Sequence, residues 1–176
     1  MHRLQLEHII RAAAGITGAS EFVIVGSQSV LGQFPQAPAE LLGSIEADVF
    51  SLRDPADSDL IDGSIGEGSP FHQTFGYYAH GVSRETAVLP DRWQERLVPV
   101  RNQNTGGGTG LCLEVHDLAV SKLVAGREKD VEFLSGLLRH HLIQVPVIRE
   151  RLSHTPLPSD RLQTCLARLE RLVKAG

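Results

Sequence analysis

The chain has 176 residues, of which 41% are hydrophobic and 22% charged, and its formal net charge at pH 7 is −4. These values are ordinary for a globular protein with one good core, and no apolar run approaches the roughly 20 residues of a membrane-spanning helix, so we expect no membrane insertion. Cys112 and Cys165 lie far apart in the sequence, which indicates neither a zinc knuckle nor a disulfide framework.

The charge is divided unevenly along the chain. Residues 1–116 contain 7 Lys and Arg against 14 Asp and Glu, whereas residues 117–176 contain 10 against 7, so the two parts carry −7 and +3. An acidic part joined to a mildly basic part could hold an anionic substrate between them, although +3 is too small for a nucleic-acid-binding surface by itself. The N-terminal segment lacks the apolar core of a signal peptide, so we expect a cytoplasmic location.

The first predicted elements are a helix and a strand. Apolar residues within 4–14 recur mainly at helical spacing, and glycines follow within 15–18, where we expect the helix to end. Residues 22–25 form a short apolar run rich in β-branched side chains, which stops at Gly26 and Ser27. This pattern predicts a strand followed by a turn that opens into a helix.

The next predicted strand carries two carboxylates. In residues 44–50 (SIEADVF), apolar residues alternate with Glu46 and Asp48, so the two acids share one face of the strand. Oxygen ligands on one rigid face suit Mg²⁺, and a Gly-Ser turn before a helix complements phosphate charge. Together the two features indicate phosphoryl or nucleotidyl transfer. Taken alone, an acidic strand face is usually the solvated side of a sheet.

The middle of the chain predicts further strands. Residues 53–67 are acidic and allow one short helix, and residues 75–82 are a weak strand candidate. Residues 97–100 form a plausible strand, and the proline within it favours the edge of a sheet. The glycine-rich run 102–110 then predicts a hairpin-like connection to an apolar arm at residues 111–115.

The remainder of the chain predicts helices. Asp117 can cap an apolar helical run that ends at Gly126, and a second amphipathic helix follows from Glu128, with its last turn closed by residues 139–141. A final helix carries an apolar stripe from Leu162 to Val173. The stripe is either a core face or a partner face, since helical spacing predicts both.

Two sequence features resemble the DNA polymerase β-like nucleotidyltransferases. That superfamily has a Gly-Ser turn followed by two acids around one apolar residue on the next strand, and Gly26-Ser27 and Glu46-Ala47-Asp48 match it. Residues 116–138 (HDLAVSKLVAGREKDVEFLSGLL) are similar to the lysine-containing helix and Arg-x-Lys-Asp segment of its AbiEii-like toxin branch, and the resemblance covers roughly the first 140 residues. The matching positions in the later segment are Lys122, Arg127, Lys129 and Asp130.

The resemblance implies an α/β (α+β) fold of the nucleotidyltransferase type, with a small mixed sheet flanked by helices and a helical region at the C-terminus. We expect residues 1–116 to form the core with the sheet and the acids. Residues 117–176 would form a helical region that completes the cleft, within one compact unit.

The function that the resemblance implies is Mg²⁺-dependent transfer of a nucleoside monophosphate from an NTP, such as ATP, to a hydroxyl of tRNA or a protein. The enzyme would be the toxin of a toxin-antitoxin pair, with an antitoxin as partner. Glu46 and Asp48 would bind Mg²⁺, and Asp130 would orient the acceptor or act as base. The nucleotide-binding residues implied are Gly26, Ser27, Lys122, Arg127 and Lys129.

An alternative hypothesis is a non-catalytic nucleotide-binding or interaction module with the same fold. It is motivated by Glu46, where the superfamily more commonly has Asp, and by the third carboxylate, for which Glu67, Glu114 and Asp117 are all candidates. A dinucleotide-binding fold is disfavoured because no GxGxxG follows the first strand. A zinc hydrolase is disfavoured because the eight histidines show no HxH or HExxH spacing.

Overall fold

The computed structural model describes residues 1–175. Within these residues, no helix combines the length and the hydropathy that a membrane-spanning segment requires. The strands are β1 (Glu21–Val25), β2 (Glu46–Ser51), β3 (Tyr78–Gly81), β4 (Val98–Val100) and β5 (Thr109–Cys112). The α-helices are α1 (Arg3–Thr17), α2 (Val30–Gln33), α3 (Asp57–Ile65), α4 (Pro70–Phe75), α5 (Val115–Ala125), α6 (Glu128–Arg139), α7 (Val145–Ser153) and α8 (Ser159–Ala175).

The strands form one mixed sheet in the order β3-β2-β1-β5-β4. The central strand β1 is antiparallel to β2 and parallel to β5, while β3 is parallel to β2 and β4 is antiparallel to β5. The predicted α/β fold with a small mixed sheet flanked by helices is confirmed. The predicted hairpin between β4 and β5 is present, and β4 with its proline lies at the sheet edge. Its second arm is residues 109–112 rather than 111–115, since Glu114 and Val115 begin α5.

Helices α1 and α3 cover one face of the sheet. A Cβ at Gly110 of β5 would collide with Ile10 of α1, and a Cβ at Gly81 of β3 would collide with the backbone of Ser58 in α3. Val49 pairs with Gly81 across β2 and β3 and points to the same face, where it is fully buried. Side chains alternate along a strand, so the acids of β2 point to the opposite face.

Two helices are absent from the sequence-based prediction. Both α4 and α7 have a proline in the first turn, and in α4 the Ser69 hydroxyl also accepts a hydrogen bond from the His72 N–H. Proline is well suited to this position, because the first helical N–H groups have no intrahelical partner. Prolines are also common in turns and loops, and for this reason the sequence pattern predicts no helix at either position.

The start of α5 corrects a predicted cap. Glu114, rather than Asp117, is the N-cap residue, and its side chain accepts hydrogen bonds from the N–H groups of His116 and Asp117. Asp117 is fully buried, and its carboxylate lies 2.8 Å from Arg96 Nε and 2.6 Å from Arg151 Nη1. The aspartate therefore joins α5 to α7 and to the segment before β4.

The helices α5 to α8 share the hydrophobic core of the sheet. Buried side chains such as Leu118, Leu137, Ile148 and Leu169 belong to the same cluster as the β1 residues 22–25. The apolar stripe of α8 is therefore a core face at Cys165, Leu169 and Leu172, which are buried in this cluster. The division of the chain at residue 116 stays a prediction.

Replacing Asp117 with Asn is expected to lower the free energy of unfolding by about 3 kcal/mol, because two partly buried arginines, with side chains 23% and 20% exposed, lose the countercharge of a fully buried carboxylate. Urea denaturation followed by circular dichroism measures this change. Asp160→Asn is the matched control, since Asp160 is exposed, and it should change the stability by less than about 0.5 kcal/mol. Equal stability of the two variants would contradict the structural role of Asp117.

Candidate active site

The β2 acids lie on the sheet face opposite α1 and α3. Ala47 and Val49 are fully buried, whereas the side chains of Glu46 and Asp48 retain 33% and 27% exposure. The predicted alternation is confirmed. Asp48 pairs with Val25 in the antiparallel β1–β2 ladder, and this register places its carboxylate next to the turn that follows β1.

Gly26 makes room for the carboxylate of Asp48. Its backbone is left-handed, with φ +70°, and a Cβ on Gly26 would collide with Asp48 Oδ2. Glycine is the residue that adopts this conformation without a steric cost and permits such a close approach. The structure therefore brings the Gly26–Ser27 turn and the second acid of β2 together, as the sequence predicts.

Two residues of β3 complete the cluster, and neither is among the site residues predicted from the sequence. The parallel ladder places Tyr78 opposite Glu46 and His80 opposite Asp48. The Tyr78 hydroxyl donates to Glu46 Oε2 over 3.1 Å. His80 Nδ1 lies 3.2 Å from Glu46 Oε1 and 3.3 Å from Asp48 Oδ1.

The proximity of the two carboxylates changes their ionisation. Burial, followed by the neighbouring Glu46, raises the pKa of Asp48 to about 6. Burial also opposes ionisation of Glu46, but hydrogen bonds to Asp48, Tyr78 and His80 and the charge of His80 lower the pKa of Glu46 below its usual value. Burial disfavours the charged imidazole, yet the two carboxylates raise the pKa of His80 overall. The two carboxylates of Glu46 and Asp48 therefore favour a positively charged group that contacts both of them.

The donor set of this cluster fits a divalent cation. One ligand atom from each of Glu46, Asp48 and His80 lies within 4.8 Å of the other two. Carboxylate oxygens are suitable ligands for Mg²⁺ and Mn²⁺, and an imidazole nitrogen is suitable for transition metals. Tyr78 binds the Glu46 oxygen that does not contact His80. Burial and then Glu46 raise the pKa of Tyr78 to about 12, so its hydroxyl keeps its proton.

A second charged group comes from α5 and α6. Lys122 is 8% exposed, and its Nζ lies 2.8 Å from Asp130 Oδ1 and 5.6 Å from the centre of the Phe133 ring. Asp130 is fully buried and also binds Arg127, whose Nε lies 2.7 Å from Oδ2. Despite burial, the hydrogen bonds from Arg127 and Lys122 lower the pKa of Asp130. Asp130 is therefore an ionised partner of two cations.

The acids and the cations line one cleft of about 1120 Å³. This volume is slightly above the roughly 300–1,000 Å³ typical of small-molecule sites. Arg127 also interacts electrostatically with the β2 acids. Its hydrogen bond to Asp130 is the main cause of its raised pKa, and the charges of Asp48 and Glu46 raise this pKa further. Asp130 is not among the cleft-lining residues. The predicted site residues that line the cleft are Ser27, Glu46, Asp48, Lys122, Arg127 and Lys129.

The candidates for a third carboxylate lie elsewhere. Glu114 caps α5 and contacts His116, and Asp117 is enclosed by two arginines. Glu67 is exposed in the turn before α4. Of residues 1–175, these three are not part of the cleft lining, and His80 on β3 is the third group that faces the pair.

The chain matches one family model, which is described as a nucleotidyltransferase of unknown function (DUF6036), over residues 4–164. The match includes β1 to β5, the turn at Gly26, the β2 acids, and α5 and α6 with the cleft residues Lys122, Arg127 and Lys129. No curated protein and no solved structure matches the chain significantly.

Replacing Gly26 with Ala is expected to destabilise the protein more than replacing Gly68 does. Both glycines have a left-handed backbone, with φ +70° and +75°, but a Cβ at Gly68 meets open space whereas one at Gly26 collides with Asp48. The Gly68 variant should lose about 1–2 kcal/mol from backbone strain alone, and the Gly26 variant should lose more. Urea denaturation of both variants measures the difference. Equal losses of unfolding free energy would show that the Asp48 side chain moves away from the added Cβ without destabilising the protein.

Proposed function

The chain belongs to the DUF6036 family of nucleotidyltransferases of unknown function, and we propose that it transfers a nucleoside monophosphate from an NTP to a hydroxyl group. The observation that carries the proposal is the shared cleft, in which the β2 acids and the α5–α6 cations face the same open volume. In this proposal, residues 1–116 supply the acidic wall and residues 117–176 supply the cationic wall.

The acidic wall would hold the cation that accompanies the nucleotide. Glu46 and Asp48 would bind Mg²⁺ or a similar ion, which would neutralise charge on the phosphate oxygens. Ser27 lines the same cleft as these acids, and in this proposal its hydroxyl would donate to a phosphate. Gly26 allows the turn and the Asp48 carboxylate to lie in contact, which keeps the phosphate and metal subsites adjacent.

The cationic wall would bind the remaining phosphate charge. Lys122 is held in place by Asp130 and Phe133, so little conformational freedom is lost when its ammonium meets an anion. Arg127 and Lys129 are exposed at the cleft and would add charge at its mouth. Phosphoryl transfer depends mainly on such positioning and charge neutralisation.

The role that we propose for Asp130 is the positioning of Lys122 and Arg127. Its carboxylate is fully buried and accepts hydrogen bonds from both cations and from the Arg127 N–H. A carboxylate with these partners is a weak base. Asp130 thus supports nucleotide binding, in place of the acceptor-orienting or base role expected from the sequence.

The acceptor and the partner stay predictions from the AbiEii-like resemblance. They are a hydroxyl of tRNA or a protein, and an antitoxin that would control the enzyme as a toxin. The cytoplasmic location belongs with this proposal, since NTPs and tRNA are found there.

A second candidate function is nucleotide binding without transfer. It is favoured by one observation, which is that the β3 group facing the acids is His80 rather than a third carboxylate. Calorimetric titration with an NTP and Mg²⁺ distinguishes the two functions when it is combined with a transfer assay, since binding without transfer supports this second function.

Incubating the protein with labelled NTPs, Mg²⁺ and total RNA or protein is expected to give labelled acceptor, and Asp48→Asn should lower the rate at least about 100-fold. The variant should be as stable as the wild type or more stable, because it removes one of two adjacent like charges. Thermal unfolding checks this point, so that lost activity is not confused with misfolding.

Asp59→Asn is the control for the transfer assay, because Asp59 is an exposed acid on α3, which covers the opposite sheet face. It should transfer at the wild-type rate. Equal labelling by the wild type and Asp48→Asn would reject the proposed mechanism.

A further inference from the structure

We propose that His80 is the third protein ligand of the cation and that the site therefore binds Mn²⁺ in preference to Mg²⁺. This inference deepens the proposed function and rests on it, because it specifies the ion that the acids hold. A site made of carboxylates alone suits Mg²⁺ and Mn²⁺ alike. Adding one imidazole moves the preference toward first-row transition metals.

The geometry singles out one atom from each of three side chains. Tyr78 binds Glu46 Oε2, and Asp48 Oδ2 lies against Gly26, so Glu46 Oε1 and Asp48 Oδ1 are the oxygens that face His80. The imidazole presents Nδ1 to both of them, at 3.2 and 3.3 Å. These contacts place the three atoms around a common point.

The backbone fixes this arrangement. Asp48 and His80 are register partners in the parallel β2–β3 ladder, and Glu46 lies two residues before Asp48 on the same face. The three side chains therefore project from two hydrogen-bonded strands rather than from loops, and sites on such elements are held more rigidly. The His80 side chain is 50% exposed, which leaves room for a cation to enter and for further ligands from a nucleotide.

Pulsed electron paramagnetic resonance of bound Mn²⁺ tests the inference without turnover. At pH 8, the spectrum of the wild type should show ¹⁴N coupling from one imidazole. His80→Gln should lose this coupling and bind Mn²⁺ at least about tenfold more weakly, while its Mg²⁺ affinity changes much less. His80→Asp restores an oxygen ligand and should shift the Mn²⁺/Mg²⁺ affinity ratio toward Mg²⁺.

His154→Gln is the control, because His154 ends α7 and its ring contacts Ser153 and the Glu150 carbonyl rather than the acids. It should keep the ¹⁴N coupling and the affinity of the wild type. Mn²⁺ bound without ¹⁴N coupling, or coupling that survives in His80→Gln, would overturn the inference and leave the proposed transfer intact. Nitrogen-coupled Mn²⁺ in a protein that fails the labelled-NTP assay would reject the transfer instead.

Discussion

Two carboxylates that share one strand face repel each other, and much of the cleft compensates for this repulsion. At about 4 Å, two like charges in a protein environment cost on the order of 4 kcal/mol. Glu46 and Asp48 lie within 4.8 Å of one another through their ligating atoms, together with His80. Tyr78 donates to one acid and His80 contacts both. A pair that is arranged in this way gains stability from any further positive charge.

On the cationic side of the cleft the unfavourable group is a buried ammonium, and Asp130 supplies its countercharge. A buried lysine ammonium is costly without a partner, and Lys122 has its partner in Asp130. Arg127 binds the same carboxylate while its side chain stays 59% exposed. Two cations on one anion leave a net positive charge, so the α5–α6 wall complements the acids without neutralising itself. Under the proposed function, a triphosphate with its metal ion would meet opposite charge on both walls.

Local patterns in the sequence predicted the parts of the site that depend on one element. The alternation of Glu46 and Asp48 with apolar residues sets their common face, and the Gly26–Ser27 turn follows from a strand that stops at glycine. His80 could not be found in this way, because its role depends on the register between β2 and β3. That register is set by packing between residues about thirty positions apart, and a lone histidine in a weak strand carries no local signal of it.

The fold shows the same division between local and long-range information. Helices with long apolar stripes, such as α1, α6 and α8, were predicted from their periodicity, whereas the short helices α4 and α7 begin at prolines that also mark loops. Aspartate is a preferred N-cap residue, yet Asp117 forms ion pairs with Arg96 and Arg151, which are distant in sequence. Only the folded chain identifies these partners.

The central claim is that a triphosphate spans the two walls, and nucleotide affinity in Lys122→Met tests it most directly. Calorimetry should show at least about tenfold weaker binding of ATP, from the loss of one charge-assisted contact, and nearly unchanged binding of AMP. Comparing two nucleotides on one protein removes effects of stability, and Lys174→Met, at an exposed lysine near the end of α8, should behave like the wild type. Equal weakening of ATP and AMP, or unchanged ATP affinity, would contradict the divided site.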